Sequence, residues 1–184
     1  PKSLLRRKIA FSSLEELVTG TFLPVIGEVD DVKPEEVRRV VVCAGKVYYD
    51  LLEARREKQV RDFALVRVEQ LYPFPRALLT GEMARYPNAT ELVWTQEEPM
   101  NQGAWYSIQH HLRGCMTDTQ SLSYAGRLSS SSPAGGSYKL HLERQTRLVA
   151  ASLNTGKQEP QPILVLREGC MRISDKPRRA SHDG

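Results

Sequence analysis

Residues 40–57 read VVVCAGKVYYDLLEARRE and join a short apolar run to a helical pattern through one glycine. Val40–Cys43 is continuous and mostly β-branched, which is typical of a strand buried on both faces of a sheet. Gly45 predicts a tight turn after that strand. The helix predicted over Lys46–Glu57 has apolar residues at helical spacing, namely Val47, Tyr48, Leu51 and Leu52. The stretch therefore predicts a strand–turn–helix unit of an α/β fold.

The same alternation of strand and helix continues along the chain. Further strands are predicted at Phe63–Val68, Glu91–Thr95 and Gln120–Tyr124, and further helices at Arg76–Tyr86, Gln102–Arg113 and Tyr138–Leu153. Alternation at this spacing requires right-handed crossovers, which produce a mainly parallel sheet. We therefore expect an α/β domain whose sheet is covered by helices.

The two ends of the chain differ from this middle part. Near the start, Ser13 can cap a short helix, and Glu16, three residues later, completes a capping box. After residue 154 the composition shifts towards Lys, Arg, Gln, Pro and Ser, and only Ile163–Leu166 has the pattern of a strand. We therefore predict a folded domain over residues 1–154 and a mostly disordered tail over residues 155–184.

Composition limits the classes of function. The chain has 184 residues, 40% of them hydrophobic, which suits one domain with a real core. Its net charge of +4 comes from 26 basic and 22 acidic residues without a basic stripe, so we expect no nucleic-acid partner. No apolar run approaches the roughly 18–20 residues that cross a bilayer, so we expect no membrane partner. The chain starts without Met, and we expect the true N-terminus to lie upstream.

The cysteines and histidines form no site of known spacing. Cys43, Cys115 and Cys170 are far apart, which predicts free thiols in a reducing compartment. His110 and His111 are about 100° apart on a helix and cannot chelate one metal together. No Ser–His–Asp or Cys–His constellation can be assembled either. We therefore expect no metal site and no catalytic residue on this chain.

Polar clusters follow the predicted strands. They are Gly45-Lys46, Glu69-Gln70, Gln96-Glu97-Glu98 and Gly126-Arg127. The carboxyl ends of parallel strands share one edge of a sheet, and ligands bind at that edge in open α/β folds. One edge therefore carries the candidate site residues, although these residues alone name no reaction.

Two of these clusters admit more than one function. Gly45-Lys46 opens a helix, where backbone N–H groups attract anions. The other residues of a P-loop are missing, so a glycine turn with a solvated lysine is the alternative. Glu97 and Glu98 could act as acid and base only in two different environments, and a helix cap or an interface contact is their alternative.

Five segments resemble the C-terminal region of 2-oxoglutarate dehydrogenase, in the order and spacing of that family. They are PKSLLR (1–6), GKVYYDLLEARR (45–56), RVEQLYPFP (67–75), QEEPMNQGAW (96–105) and YAGRLSSSSPAGG (124–136). Several long motifs make the resemblance specific, and it extends to about Asn154. It implies a domain similar to the C-terminal domain of transketolase, with a three-layer α/β/α fold. The sheet would be mixed, mostly parallel and five-stranded, with one opposite strand within Thr21–Ile26.

The resemblance also implies an activity for a longer protein. The family oxidatively decarboxylates 2-oxoglutarate in the tricarboxylic acid cycle, using thiamine diphosphate and Mg²⁺. It transfers the succinyl group to a lipoyl group on the succinyltransferase component of a multienzyme complex. The cofactor lies between the subunits of a homodimer, on upstream domains, so none is expected on this chain. The location would be the bacterial cytoplasm or the mitochondrial matrix. A relative that acts on 2-oxoadipate and a stand-alone interaction or regulatory module are the alternatives.

One effector site can be compared residue by residue. In actinobacterial relatives, an acetyl-CoA site includes the glutamine of the RVEQL motif and two arginines just after the PxP turn. Gln70 matches the glutamine, but the arginines fall on Ala77 and Leu78, which argues against acetyl-CoA control because a CoA diphosphate needs cationic partners. The predicted effector-binding residues are Gln70, Arg76, Lys46 and Arg127. The predicted interface or site-rim residues are Gln96, Glu97, Glu98, Asn101, Gln102 and Trp105.

Overall fold

One mixed sheet organises the chain. The computed structural model describes residues 2–133 and 136–153 and the backbone of residues 163–167. Its strands are β1 (Val25–Ile26), β2 (Arg39–Cys43), β3 (Phe63–Val68), β4 (Glu91–Pro99), β5 (Ser121–Arg127) and β6 (Ile163–Arg167). They lie in the order β1-β3-β2-β4-β5-β6. The four central strands are parallel, whereas β1 runs antiparallel to β3 and β6 antiparallel to β5.

Helices connect these strands. The α-helices are α1 (Leu14–Thr19), α2 (Val47–Lys58), α3 (Arg76–Met83), α4 (Trp105–Arg113) and α5 (Tyr138–Leu153), and short 3-10 helices lie at Lys2–Arg6, Lys8–Ala10 and Pro34–Glu36. The predicted capping box of α1 is confirmed. The Ser13 hydroxyl accepts from the Glu16 N–H at 3.1 Å, and the Glu16 carboxylate accepts from the Ser13 N–H at 2.8 Å.

Two apolar clusters lie on opposite faces of the sheet. One contains Leu79, Met83, Ile108 and Leu112 of α3 and α4, and the other contains Leu51, Leu52, Leu148 and Leu153 of α2 and α5. Successive residues of β2 alternate between them, because Val40 and Val42 belong to the first cluster and Val41 and Cys43 to the second. Helices on both faces of one sheet give three layers. The predicted α/β/α architecture is therefore confirmed.

The five-stranded mixed sheet is also confirmed, and a sixth strand extends it. Strand β1 lies within the predicted Thr21–Ile26 and runs opposite to its neighbour, as expected. Strand β6 coincides with the candidate strand at Ile163–Leu166 and pairs with residues 123–127 of β5. The rest of the tail, residues 155–162 and 168–184, lies outside the described residues, so its disorder stays a prediction.

Three predicted boundaries were wrong near the candidate site. Strand β5 continues to Arg127 instead of ending at Tyr124. Strand β4 continues to Pro99 instead of ending at Thr95, because Gln96 and Pro99 still pair with the last residues of β5 across an irregularity in register. Helix α4 begins at Trp105 rather than Gln102. The N–H groups of Gln102 and Gly103 both donate to the Pro99 carbonyl, at 2.8 and 3.1 Å, and so form a turn before the helix.

Candidate functional site

Lys46 belongs to a chain of ion pairs at the carboxyl end of β2. Its Nζ donates to Asp50 Oδ2 at 2.7 Å and lies 2.6 Å from Glu97 Oε1. Asp50 also accepts from Arg7 at 2.6 Å and from Gln145 Nε2 at 2.8 Å. Arg7 also pairs with Glu53 at 2.5 Å, so the chain Glu53–Arg7–Asp50–Lys46–Glu97 has two positive and three negative charges.

The positive charge of Lys46 is therefore paired with carboxylates of the same chain. Burial lowers the pKa of Lys46, but the hydrogen bonds to Asp50 and Glu97 outweigh it, and the pKa is raised. Burial raises the pKa of Asp50, but the bonds from Lys46 and Arg7 outweigh it, and the pKa is lowered. Sequence reasoning missed Asp50 and Arg7, although the i, i+4 spacing of Lys46 and Asp50 on one helix was an available signal. Effector binding by Lys46 stays a prediction.

Gln96 is buried and organises the segment that follows it. Its Oε1 accepts from the Trp94 indole N–H at 2.9 Å and from the Trp105 backbone N–H at 3.1 Å. Its Nε2 donates to the carbonyls of Glu98 and Pro99, both at 3.2 Å. Because all four hydrogen bonds are to groups within residues 94–105, the buried Gln96 side chain holds this segment of the rim in its conformation.

Asn101 and Gln102 join two loops of the rim. The Asn101 Nδ2 donates to the Ser130 carbonyl at 3.0 Å, and its Oδ1 accepts from the Ser130 N–H at 3.0 Å. The Gln102 Nε2 donates to the same carbonyl at 2.6 Å. The ring of Trp105 lies against Tyr124, with 4.9 Å between ring centroids. The segments 96–105 and 124–130 are therefore joined by direct contacts.

Glu97 and Glu98 do not share a site. Neighbouring residues of a strand point to opposite faces of the sheet. The Glu97 carboxylate faces Lys46, whereas Glu98 is exposed. The structure therefore separates the two carboxylates that sequence reasoning had considered as an acid–base pair.

Gln70 and Arg76 lie at opposite ends of one loop. The Gln70 Nε2 donates to the Pro73 carbonyl at 2.7 Å. Arg76 Nη2 lies 3.3 Å from His111 Nδ1, and the guanidinium must be the donor because it has no acceptor. Phe74 stacks on His111 with 4.8 Å between centroids. Partial desolvation and the neighbouring His110 and Arg76 charges lower the pKa of His111.

Arg127 closes the rim beside the first turns of α5. Its Nη1 donates to the Pro133 carbonyl at 3.2 Å. A small cavity of about 30 Å³ lies next to it, lined by Glu97, Arg127, His141, Arg144 and Gln145. Sequence reasoning missed His141 and Arg144. The available signal was their three-residue spacing, which places both side chains on one face of a helix.

Within residues 2–133 and 136–153, no group of three or more His, Cys, Asp or Glu side chains could hold a metal ion. No helix of the described part is long and apolar enough to span a bilayer. Two free cysteines, Cys43 and Cys115, are buried there. The site is thus a rim of charged and amide side chains at the carboxyl edge of a parallel sheet.

A family model described as 2-oxoglutarate dehydrogenase C-terminal matches residues 11–153, which include the whole of this rim. The chain belongs to this family. The 2-oxoglutarate dehydrogenase C-terminal match covers strands β1 to β5 and the five described α-helices, whereas strand β6 lies outside it.

Curated relatives agree with the family model. The chain is 51% identical over 154 residues to the 2-oxoglutarate dehydrogenase E1 component of Haemophilus influenzae, which covers 84% of this chain and 16% of that protein. It is 52% identical over 152 residues to the component of the same name from Azotobacter vinelandii, which covers 81% of this chain and 16% of that protein. The chain therefore spans about one sixth of the length of these relatives.

One solved structure with a related arrangement is titled a split gene transketolase, inactive beta4 tetramer. It has a TM-score of 0.47 and 21% sequence identity, and the match covers 63% of this chain and 38% of that one.

Proposed function

We propose that the chain serves as the C-terminal domain of a thiamine-dependent 2-oxoglutarate dehydrogenase. The whole enzyme would decarboxylate 2-oxoglutarate oxidatively and transfer the succinyl group to a lipoyl group on a succinyltransferase partner. The family match over residues 11–153, together with relatives about half identical to this domain, carries the proposal. The free cysteines suit a reducing compartment, either the bacterial cytoplasm or the mitochondrial matrix.

The cofactor belongs elsewhere in this proposal. Thiamine diphosphate and Mg²⁺ need oxygen ligands for the metal and a cradle for the diphosphate. The described side chains offer no cluster of metal ligands. We therefore assign no catalytic step to residues of this chain and place the cofactor on upstream domains.

An exposed apolar surface on the N-terminal arm, residues 11–22, supports the proposal that this chain is one domain of a larger enzyme. Leu14, Leu17 and Val18 of α1 recur at i, i+3 and i+4 and are 76%, 72% and 80% exposed. Phe11 and Phe22 flank them and are also exposed. Contiguous apolar side chains of this kind mark a surface that is covered in the assembled protein. We propose that the upstream domains or the second subunit of a homodimer cover it.

The rim is the second contribution of this domain. Gln96 holds the segment 97–105, and Asn101 and Gln102 tie that segment to Ser130. This arrangement is polar, is held by hydrogen bonds and lies at the edge where open α/β sheets meet ligands and neighbouring domains. We propose that it shapes the entrance of an active site whose reacting groups lie on other domains.

A chimera tests the proposal. Residues 2–153 would replace the matching segment of the Haemophilus influenzae E1 component, and turnover would be followed by 2-oxoglutarate-dependent reduction of a dye. We expect activity that requires added thiamine diphosphate and Mg²⁺. A chimera that is folded and dimeric but inactive would overturn the proposal and favour an interaction or regulatory module.

A matched variant separates docking from folding. Leu14→Glu, Leu17→Glu and Val18→Glu together would leave the stability of the isolated domain within about 0.5 kcal/mol, because these side chains are exposed there. In the chimera we expect the same changes to abolish dimer formation or activity. Full activity of that variant would contradict the proposed role of the arm.

A further inference from the structure

The cavity between β5 and α5 has an excess of positive charge. Arg127 and Arg144 both line it and are both partly buried. Among the described residues, neither guanidinium forms an ion pair. In the part of the chain that the structure describes, the one hydrogen bond that the Arg127 guanidinium makes is to the neutral Pro133 carbonyl.

Of the residues that the structure describes, Glu97 is the only carboxylate that lines the cavity, and it forms no ion pair with either arginine. Glu97 lies 2.6 Å from Lys46 Nζ, so its carboxylate is paired with that cation. Because Glu97 is paired in this way, Arg127 and Arg144 have no direct counter-charge among the described residues. Two partly buried cations next to one another are unfavourable unless an anion lies between them.

The position of the cavity favours an oxyanion. It lies at the carboxyl edge of the sheet, where ligands meet open α/β folds. His141 is in the first turn of the 16-residue helix α5, whose N-terminal end favours negative charge. An arginine guanidinium can donate two parallel hydrogen bonds to two oxygens of one phosphate.

We propose that Arg127, His141 and Arg144 form a binding site for a phosphate group. A phosphate dianion matches the uncompensated charge of two guanidinium groups, which a single carboxylate would only half neutralise. The cavity of about 30 Å³ has room for roughly two water-sized groups. Two phosphate oxygens therefore enter it, and the other oxygens, or the organic part of a phosphate ester, face solvent.

Calorimetric titration of the full chain with inorganic phosphate, at constant ionic strength and about pH 7.5, tests the proposal. We expect saturable binding at one site and none with acetate. Arg127→Gln and Arg144→Gln should each weaken binding by about tenfold or more, because each removes charge-assisted hydrogen bonds. Glu97→Gln should strengthen binding, because it removes the one carboxylate that lines the cavity.

Arg147→Gln is the matched control. Arg147 lies on the same helix and pairs with Glu143 at 2.5 Å, but it does not line the cavity. We expect the phosphate affinity of Arg147→Gln to stay within about twofold of that of the parent chain. Equal weakening by Arg147→Gln would show a general effect of surface charge and overturn the proposal, as would the absence of saturable binding in a chain with native circular dichroism. Glycerol phosphate, titrated in parallel, distinguishes an ester ligand from the free ion by its tighter binding.

Discussion

Arg55 and Glu28 form a buried ion pair beside the outer edge of strand β3. The Arg55 Nη2 donates to Glu28 Oε1 at 2.6 Å, and the two side chains are 3% and 2% exposed. Glu28 also accepts from the Leu65 N–H at 2.8 Å. Strand β1 pairs only with residues 67 and 68 of β3. The Glu28 carboxylate therefore satisfies a strand N–H beyond the reach of β1.

Loss of Arg55 should destabilise the domain strongly. In Arg55→Met the Glu28 carboxylate stays buried without its main counter-charge, and removing one partner of such a pair costs about 3–5 kcal/mol. Urea denaturation measures the free energy of unfolding. Arg56→Met is the control, because Arg56 pairs with Asp30 and is about half exposed, and it should cost less than about 1 kcal/mol. Equal losses in the two variants would contradict the importance of the buried pair.

Gln96→Leu should be costly for a different reason. Leucine fills similar space but leaves the Trp94 indole N–H and the Trp105 backbone N–H without their acceptor. An unsatisfied buried donor costs about 1–3 kcal/mol, so we expect a loss of about 2–5 kcal/mol. The chain has two tryptophans, and both contact Gln96, so a changed emission spectrum should accompany the loss.

Gln102→Leu provides the comparison for Gln96. Gln102 is exposed, and its side chain makes one described hydrogen bond, to the Ser130 carbonyl. We expect its loss to cost less than about 1 kcal/mol and to leave the tryptophan emission unchanged. If both leucine variants lose the same stability, the buried network around Gln96 is not what holds this part of the rim.

The strand and helix pattern of the central part could be predicted from sequence because burial imposes local regularity. The apolar run at Val40–Cys43 belongs to a strand whose residues contact both helical layers. Gly45 turns the chain with a φ of +72°, a region that glycine adopts without strain. By contrast, β1 has two residues, too few to show a period of two. Its place and direction came from the family resemblance.

The contacts of the site could not be predicted in the same way. The sequence predicted that Lys46 and Glu97 lie at the same edge of the sheet. Their ion pair also requires α2 to be oriented so that Lys46, just before it, faces β4, and the sequence does not show this orientation. Gln96 was predicted at the rim and instead points inward. No local sequence pattern predicts that Gln96 points inward. Its side-chain oxygen accepts from the Trp94 indole N–H and the Trp105 backbone N–H, and the turn at residues 99–104 brings these two donors together.

The two buried cysteines should differ from a free thiol in reactivity. Cys43 is fully buried, and burial raises its pKa far above the ordinary range. Burial also raises the pKa of Cys115, against opposing effects of Thr80 and Arg76. Since the thiolate is the reactive form, iodoacetamide should modify neither of them quickly in the native chain at about pH 8.

Mass spectrometry of a Cys170→Ser variant checks this expectation. We expect Cys43 to stay unmodified until denaturant unfolds the chain, and Cys115 to react slowly, because its side chain is only 6% exposed. In denaturant both should react at similar rates. Rapid modification of Cys43 under native conditions would mean that the layer between β2 and α2 opens readily.

Asp50 should make the free energy of unfolding of the domain depend on pH in the acid range. Burial raises the pKa of its carboxyl, but hydrogen bonds from Lys46 and Arg7 more than offset this, so the folded pKa lies below the ordinary 3.8. A lowered folded pKa means that ionised Asp50 stabilises the fold. This stabilisation is fully present above about pH 3.8 and is lost as the pH falls through the folded pKa.

Asp50→Asn should therefore cost stability at neutral pH and little in acid. We expect a loss of about 1–3 kcal/mol at about pH 7, because the neutral amide weakens the bonds from Lys46 and Arg7. As the pH falls through the folded pKa, the two unfolding free energies should converge, since the native carboxyl is then protonated as well. Urea denaturation across this range measures the difference. A loss that does not change with pH would show that the amide disturbs packing, and that the chain of ion pairs from Arg7 to Glu97 contributes little through charge.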